Sequence, residues 1–461
     1  MTFSLILISG LLKSWIIVFH SLNNYFKGMH MAQHLSNTVH GDIKQRETVF
    51  DNLRTLFVIG VVLQHASMSY NWSDWWPVTD DASILMAMST AFFDGFLMPS
   101  LFFIAGYFAI PSVRKRSVST FVIGKLRRLG IPWLVCILFI CPILPLLYHY
   151  TRNGLRLSTS YWETWQTLMK NTLQFDFGLL PPMTQLMQND LFYQRYMWFI
   201  GLLLSFFLLF AVIYRFFPKW FEPATPQSEL EPPRIITTVR NILVIGIGTF
   251  VGSTVIIGIM FAFSTGVSNP ETWFTLGNII QFRVSRIFLH SVYFILGIWS
   301  YKKGWIQNGQ FPGHRKTCLV AFLLAFVTYY ISLFSMKTAA DGLEQVFGMI
   351  FWFCLNFFTI TALGVFISFG QKYLNKSTSF SQSLASHSYN IYLAHYLFVL
   401  AFQLLLVQQQ QIPVEIKYIL VSVLSVVSAY LSSRLFIRPY PRLTILAVTG
   451  LFALMVFTIN P

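Results

Sequence analysis

At ten places this chain runs for close to twenty residues on apolar side chains, enough to cross a hydrocarbon layer about 30 Å thick. These stretches lie at 50–70, 85–109, 129–149, 197–217, 240–263, 283–301, 318–335, 347–369, 387–407 and 415–437. In lipid, every backbone N–H and C=O must be satisfied within the protein, which leaves helices and closed barrels as spanning structures. Continuous runs of this length without alternation select helices. The sequence therefore predicts an all-α fold, a polytopic membrane bundle of about ten core helices. A composition 55% hydrophobic and 11% charged agrees. Further apolar runs at 441–459 and 2–20 are long enough to add a helix at either end.

The net charge of +15 would suit nucleic acid in a soluble protein, but no charge-dense soluble domain is present to carry such binding. The excess is read as loop charge that sets membrane orientation. Arg114, Lys115, Arg116, Lys125, Arg127 and Arg128 follow the second core helix, whereas 264–282 and 408–414 contain no Lys or Arg. Alternation from that basic loop puts the start of the first core helix in the cytoplasm. Cys136, Cys141, Cys318 and Cys354 all fall in apolar runs without CxxC spacing. They are expected as free thiols, with neither a disulfide framework nor a metal site.

Ionisable side chains within spans are costly and usually mark a substrate or proton path. In the first core segment, Arg54 and His65 are eleven positions apart, so they share a helix face about 16 Å apart along the axis. Arg54 can snorkel to the interface; His65 cannot reach so far. Asp94 is the carboxylate of the second core helix, at a depth within about 6 Å of His65. An Asp94–His65 pair and an Asp94–arginine pair are both open. Arg286 and His290, four apart, share a face of the sixth core segment. Counting from residue 387 places His395 in the inner half of its span, away from His65.

Several motifs occur in a fixed order. They are Arg54-x10-His65, Met98-Pro-Ser-Leu-Phe-Phe-Ile-Ala-Gly-Tyr-Phe108, Lys125-Leu-Arg-Arg-Leu-Gly-Ile-Pro132 and Met197-Trp-Phe-Ile-Gly-Leu-Leu-Leu204, then Tyr293 to Trp305 and Ser388 to His395. The ordered set resembles the acyltransferase 3 family, integral-membrane enzymes that move acyl groups from acyl-CoA onto cell-envelope carbohydrates. Leu97 and Ser100 depart from it, where relatives often carry polar or basic side chains. The resemblance covers 48–440, leaving 1–47 as an N-terminal extension with a possible extra helix and 441–461 as a possible C-terminal one. The segment 2–20 either forms that helix or is dispensable, with translation starting at Met29 or Met31.

The resemblance implies a multi-pass protein of the plasma (bacterial inner) membrane and an O-acyltransferase reaction. It implies acyl-CoA, typically acetyl-CoA, as donor, with no metal, and a carbohydrate or lipid-linked glycan as acceptor. Arg127, Arg128, Lys125 and Arg114 are then candidates for the CoA phosphates, since guanidinium groups fit phosphate oxygens. His65 is the candidate base for the acceptor hydroxyl, with Arg54 and Asp94 beside it as catalytic candidates. Arg286, His290 and Trp198 are candidates for substrate binding. The aromatic connection 150–196 suits an interfacial helix or sugar contacts. The competing reading is a multi-pass secondary transporter, against which no Gly/Pro-broken inverted repeat is visible.

Overall fold

The computed structural model describes residues 41–459 except 175, 190–193, 224–233, 264–270, 279, 307–310, 341 and 377. The apolar run 2–20 and the candidate starts Met29 and Met31 lie outside the described residues. The chain divides into two units, Met1–Thr48 and Val49–Pro461. The long helices are α1 (Gly41–Ser67), α2 (Ile84–Arg114), α3 (Val118–Arg152), the shorter α4 (Tyr161–Thr172), α5 (Arg195–Phe216) and α6 (Ile235–Phe263). They continue as α7 (Val284–Lys302), α8 (Arg315–Lys337), α9 (Glu344–Tyr373), α10 (Ser379–Leu406), α11 (Val414–Ile437) and α12 (Pro441–Thr458).

Nine helices among the described residues are long and apolar enough to cross a membrane. The protein is thus the polytopic helical bundle that hydropathy predicts. Helices α1 and α7 also form where spans are expected, but they are more polar because they carry Arg54, His65, Arg286 and His290.

One feature is absent from the sequence-based expectation. Strands β1 (Phe177–Leu179), β2 (Trp273–Leu276) and β3 (Ile280–Arg283) pair antiparallel in that order. Gly277 and Asn278 turn the chain between β2 and β3 at positive φ, a conformation open to Gly and tolerated by Asn. Arg283 ends β3 and is the N-cap of α7, so the hairpin feeds directly into that helix. Each strand is three or four residues long, too short for a period-2 signal to stand out. The connection 150–196 also holds α4, which begins with a capping box at Ser160 and Glu163, and a short helix Met183–Gln188.

Packing between α2 and α7 is set by glycine. A Cβ on Gly106 would lie 2.0 Å from the Phe294 carbonyl oxygen, and one on Gly297 2.1 Å from that of Phe103. The two backbones therefore touch, as small residues permit between membrane helices. Both helices run away from the sheet, so Asp94 and Arg286 lie at nearly equal depth, about 17 Å from this contact.

Helix α3 is widened into π turns at Leu126–Gly130 and Cys136–Ile140. Pro132 has no N–H to offer the Arg128 carbonyl one turn earlier. The Tyr389 hydroxyl of α10 donates to that oxygen at 2.7 Å instead. The first π turn carries Arg127 and Arg128.

Candidate active site

At the sheet end of the bundle lies a cavity of about 550 Å³. Five of the residues singled out in the sequence line it: His65, Asp94, Trp198, Arg286 and His290. They form two adjoining groups.

The first group is built on His65. Its Nδ1 lies 2.9 Å from His395 Nε2, and His395 Nδ1 lies 2.6 Å from the Tyr392 carbonyl oxygen. The expectation that His395 stands apart from His65 is therefore wrong. Helix α10 starts at a capping box formed by Thr378 and Ser381, eight residues before the hydrophobic run, so His395 sits nearer the sheet end. Its polar first turns are invisible to hydropathy.

Trp76 stacks on the His65 ring at 5.7 Å and 14°, and the Tyr396 ring meets it edge-on at 5.0 Å. Trp76 Nε1–H donates to Gln403 Oε1 at 2.8 Å. Gln403 Nε2–H donates in turn to the carbonyls of His65 (3.2 Å) and Ala66 (3.1 Å), which lie in the last turn of α1, where helix carbonyls generally need partners from outside the helix. The imidazole is held by stacking, a hydrogen bond and its own anchored backbone.

The second group is ionic. Asp94 does not take His65 as its partner. Its carboxylate accepts from Arg286 Nη2 (3.0 Å), Arg283 Nη1 (3.3 Å) and Gln64 Nε2 (3.4 Å). Arg283 also pairs with Glu271 at 2.9 Å. The α2–α7 contact explains this choice, since it brings Asp94 level with Arg286, and two guanidinium groups compete for the carboxylate. Glu271 and Arg283 escaped the sequence reading because they lie outside the apolar core of any span. His290 is buried between Phe102 and Trp198, with ring centroids 4.9 and 5.4 Å away. Gln64 hydrogen-bonds Asp94, and its neighbour His65 contacts His395, so α1 joins the two groups.

The basic candidates lie elsewhere. Arg54 does not line the cavity; it pairs with Asp51 one turn earlier at 2.7 Å. Arg128 lies within charge–charge reach of both Arg54 and Lys125. Lys125 holds its ammonium 3.4 Å from the centre of the Phe207 ring, a cation–π contact that directs it into the bundle. Arg114 and Arg128 are exposed, and Arg127 is half-buried. Three helices, α1, α2 and α3, thus bring basic side chains toward one end, and the cavity opens near the other. Cys136, Cys141 and Cys318 are buried free thiols, and Cys354 is a half-buried one.

Fold and site together define a multi-pass membrane protein with a cavity of ionisable and aromatic side chains at one end and a basic cluster toward the other. Residues 48–225 and 233–458 match the model of the acyltransferase 3 family, described as an acyltransferase domain, and the chain belongs to that family. It is a membrane acyltransferase. No curated protein and no solved structure matches it.

Proposed function

We propose that the protein transfers an acyl group, acetyl in the simplest case, from cytoplasmic acyl-CoA to a hydroxyl of an envelope carbohydrate or similar acceptor. The acceptor occupies the sheet-end cavity. The observation that carries this reading is His65, the one residue that belongs both to the cavity lining and to the Arg54-x10-His65 motif.

The bond changes are simple. The acceptor oxygen attacks the thioester carbonyl carbon while His65 takes its proton; the C–S bond breaks, and the proton passes from His65 to the departing thiolate. Arg54, Arg127 and Arg128 attract the CoA phosphates from the basic side, with Lys125 and Arg114 adding to the local positive potential. From there the pantetheine arm runs along α1 toward His65. Asp94, Arg286, His290 and Trp198 shape the acceptor's polar and ring contacts. The excess of Lys and Arg in the loops at the basic end supports its placement in the cytoplasm of a bacterial inner membrane.

The test is transfer of radiolabelled acetyl from acetyl-CoA by purified protein in vesicles, with His65→Ala alongside wild type. Loss of roughly 10²–10⁴-fold, the usual worth of acid–base catalysis, is expected. Activity of His65→Ala within a few-fold of wild type would remove the base assignment.

A further inference from the structure

We infer that His395 is a positioning residue that fixes the His65 imidazole with its proton on Nδ1, leaving Nε2 as the nitrogen that receives the acceptor proton. The inference rests on the transferase reading above for its role in turnover. Its structural content stands apart from that reading.

The hydrogen-bond partners assign the protons. A carbonyl oxygen can only accept, so the 2.6 Å contact between His395 Nδ1 and the Tyr392 carbonyl requires N–H on that nitrogen. A neutral His395 then has a bare Nε2, which can only accept. Its partner 2.9 Å away, His65 Nδ1, must be the donor. Neutral His65 therefore keeps its lone pair on Nε2. Such control of the tautomer through the second ring nitrogen is the general way a histidine is prepared for proton transfer.

The surroundings favour two neutral rings. His395 is fully buried, and its neighbours are the rings of Tyr196, Tyr392, Tyr396 and His65, with no carboxylate among these contacts. A cation there would be desolvated without compensation. The Tyr392 carbonyl belongs to the same helix as His395, three residues back, so the relay begins on a rigid element. A carboxylate is the more familiar partner for a catalytic histidine. A second histidine gives the same tautomer without adding a charge beside the base.

Two variants separate positioning from bulk. His395→Phe keeps a ring against His65 but offers no acceptor, whereas His395→Gln presents an amide oxygen to His65 Nδ1–H. The Phe variant also removes the donor to the Tyr392 carbonyl, which the glutamine amide N–H can replace. The Phe variant should lose roughly 10²-fold in kcat, with KM for acetyl-CoA changed by less than about threefold because ground-state donor contacts are untouched. The Gln variant should regain at least about tenfold of that loss.

A second measurement does not depend on turnover. Solid-state ¹⁵N spectra of histidine-labelled protein in bilayers, with His65 assigned from its absence in His65→Ala, should show a protonated Nδ1 and a bare Nε2 in wild type. In His395→Phe the His65 signals should shift toward the other tautomer. The inference is overturned if wild-type His65 carries its proton on Nε2 or if the tautomer is unchanged in the Phe variant. It is equally overturned if Phe and Gln have the same kcat in folded protein. If wild type transfers nothing while the spectra read as expected, the transferase reading fails and the tautomer assignment stands.

Discussion

Lys417 of α11 and Asp80 of the loop before α2 form an ion pair at 2.7 Å, with side chains only 1% and 7% exposed. Breaking such a pair from one side leaves a buried charge uncompensated, which costs about 3–5 kcal/mol. Lys417→Met should therefore favour opening of the loop roughly 10²- to 4 × 10³-fold. Replacing both partners, as in Asp80→Leu with Lys417→Met, removes the stranded charge and should recover most of that loss.

The effect should reach the site. Asp80 N–H donates to the Ser69 carbonyl at 2.9 Å, and Ser69 Oγ–H donates to the Val78 carbonyl. Arg152 holds the carbonyls of Asp74 and Trp76 from the other side. Trp76 lies between these clamps, against His65. Amide exchange over residues 71–83 and unfolding in mixed micelles measure the stability term, and kcat measures the displacement of Trp76. A Lys417→Met protein within about 1 kcal/mol of wild type, or a double variant whose loss is the sum of the two singles, would refute the argument.

Replacing Arg127 and Arg128 with Gln should raise KM for acetyl-CoA more than it lowers kcat, because phosphate anchoring is common to ground and transition states. Steady-state kinetics at two salt concentrations check this, with the effect shrinking as salt screens the attraction. A lone cysteine at Ser117 should resist an impermeant thiol reagent in intact cells, and one at exposed Gln410 should be labelled. The reverse pattern would exchange the donor and acceptor sides. Asp94→Asn removes the carboxylate shared by Arg283 and Arg286 and should lower thermal stability, as well as raise KM for the acceptor more than KM for acetyl-CoA.

Most of the helices were legible because the lipid requirement writes itself as long apolar runs. His65, Asp94, Arg286 and His290 stood out for the same reason: a polar group in such a run is conspicuous. Pairing was not legible. Asp94 chose arginine over histidine because of a backbone contact between α2 and α7 that depends on two glycines about three turns away along those helices, one of them on a helix distant in sequence. His395 was misplaced because helix α10 extends beyond its hydrophobic part, held by a cap that hydropathy does not register. The strands were too short to show a period, and Glu271 and Arg283 lay where no pattern singled them out.

The touching backbones of α2 and α7 turn residue spacing into a ruler. Side chains could yield to a shifted register, but two carbonyl oxygens against two glycines leave no slack. Inserting or deleting one residue between Asp94 and Gly106, or between Arg286 and Gly297, would swing one member of the pair about 100° around its helix. Hydropathy would be unchanged and the span would still insert. A length change confined to one helix would thus separate the charges, whereas many apolar substitutions along the same stretch would leave them paired. Remodelling this cavity is accordingly a matter of exchanging side chains at fixed counts, not of lengthening or shortening its walls.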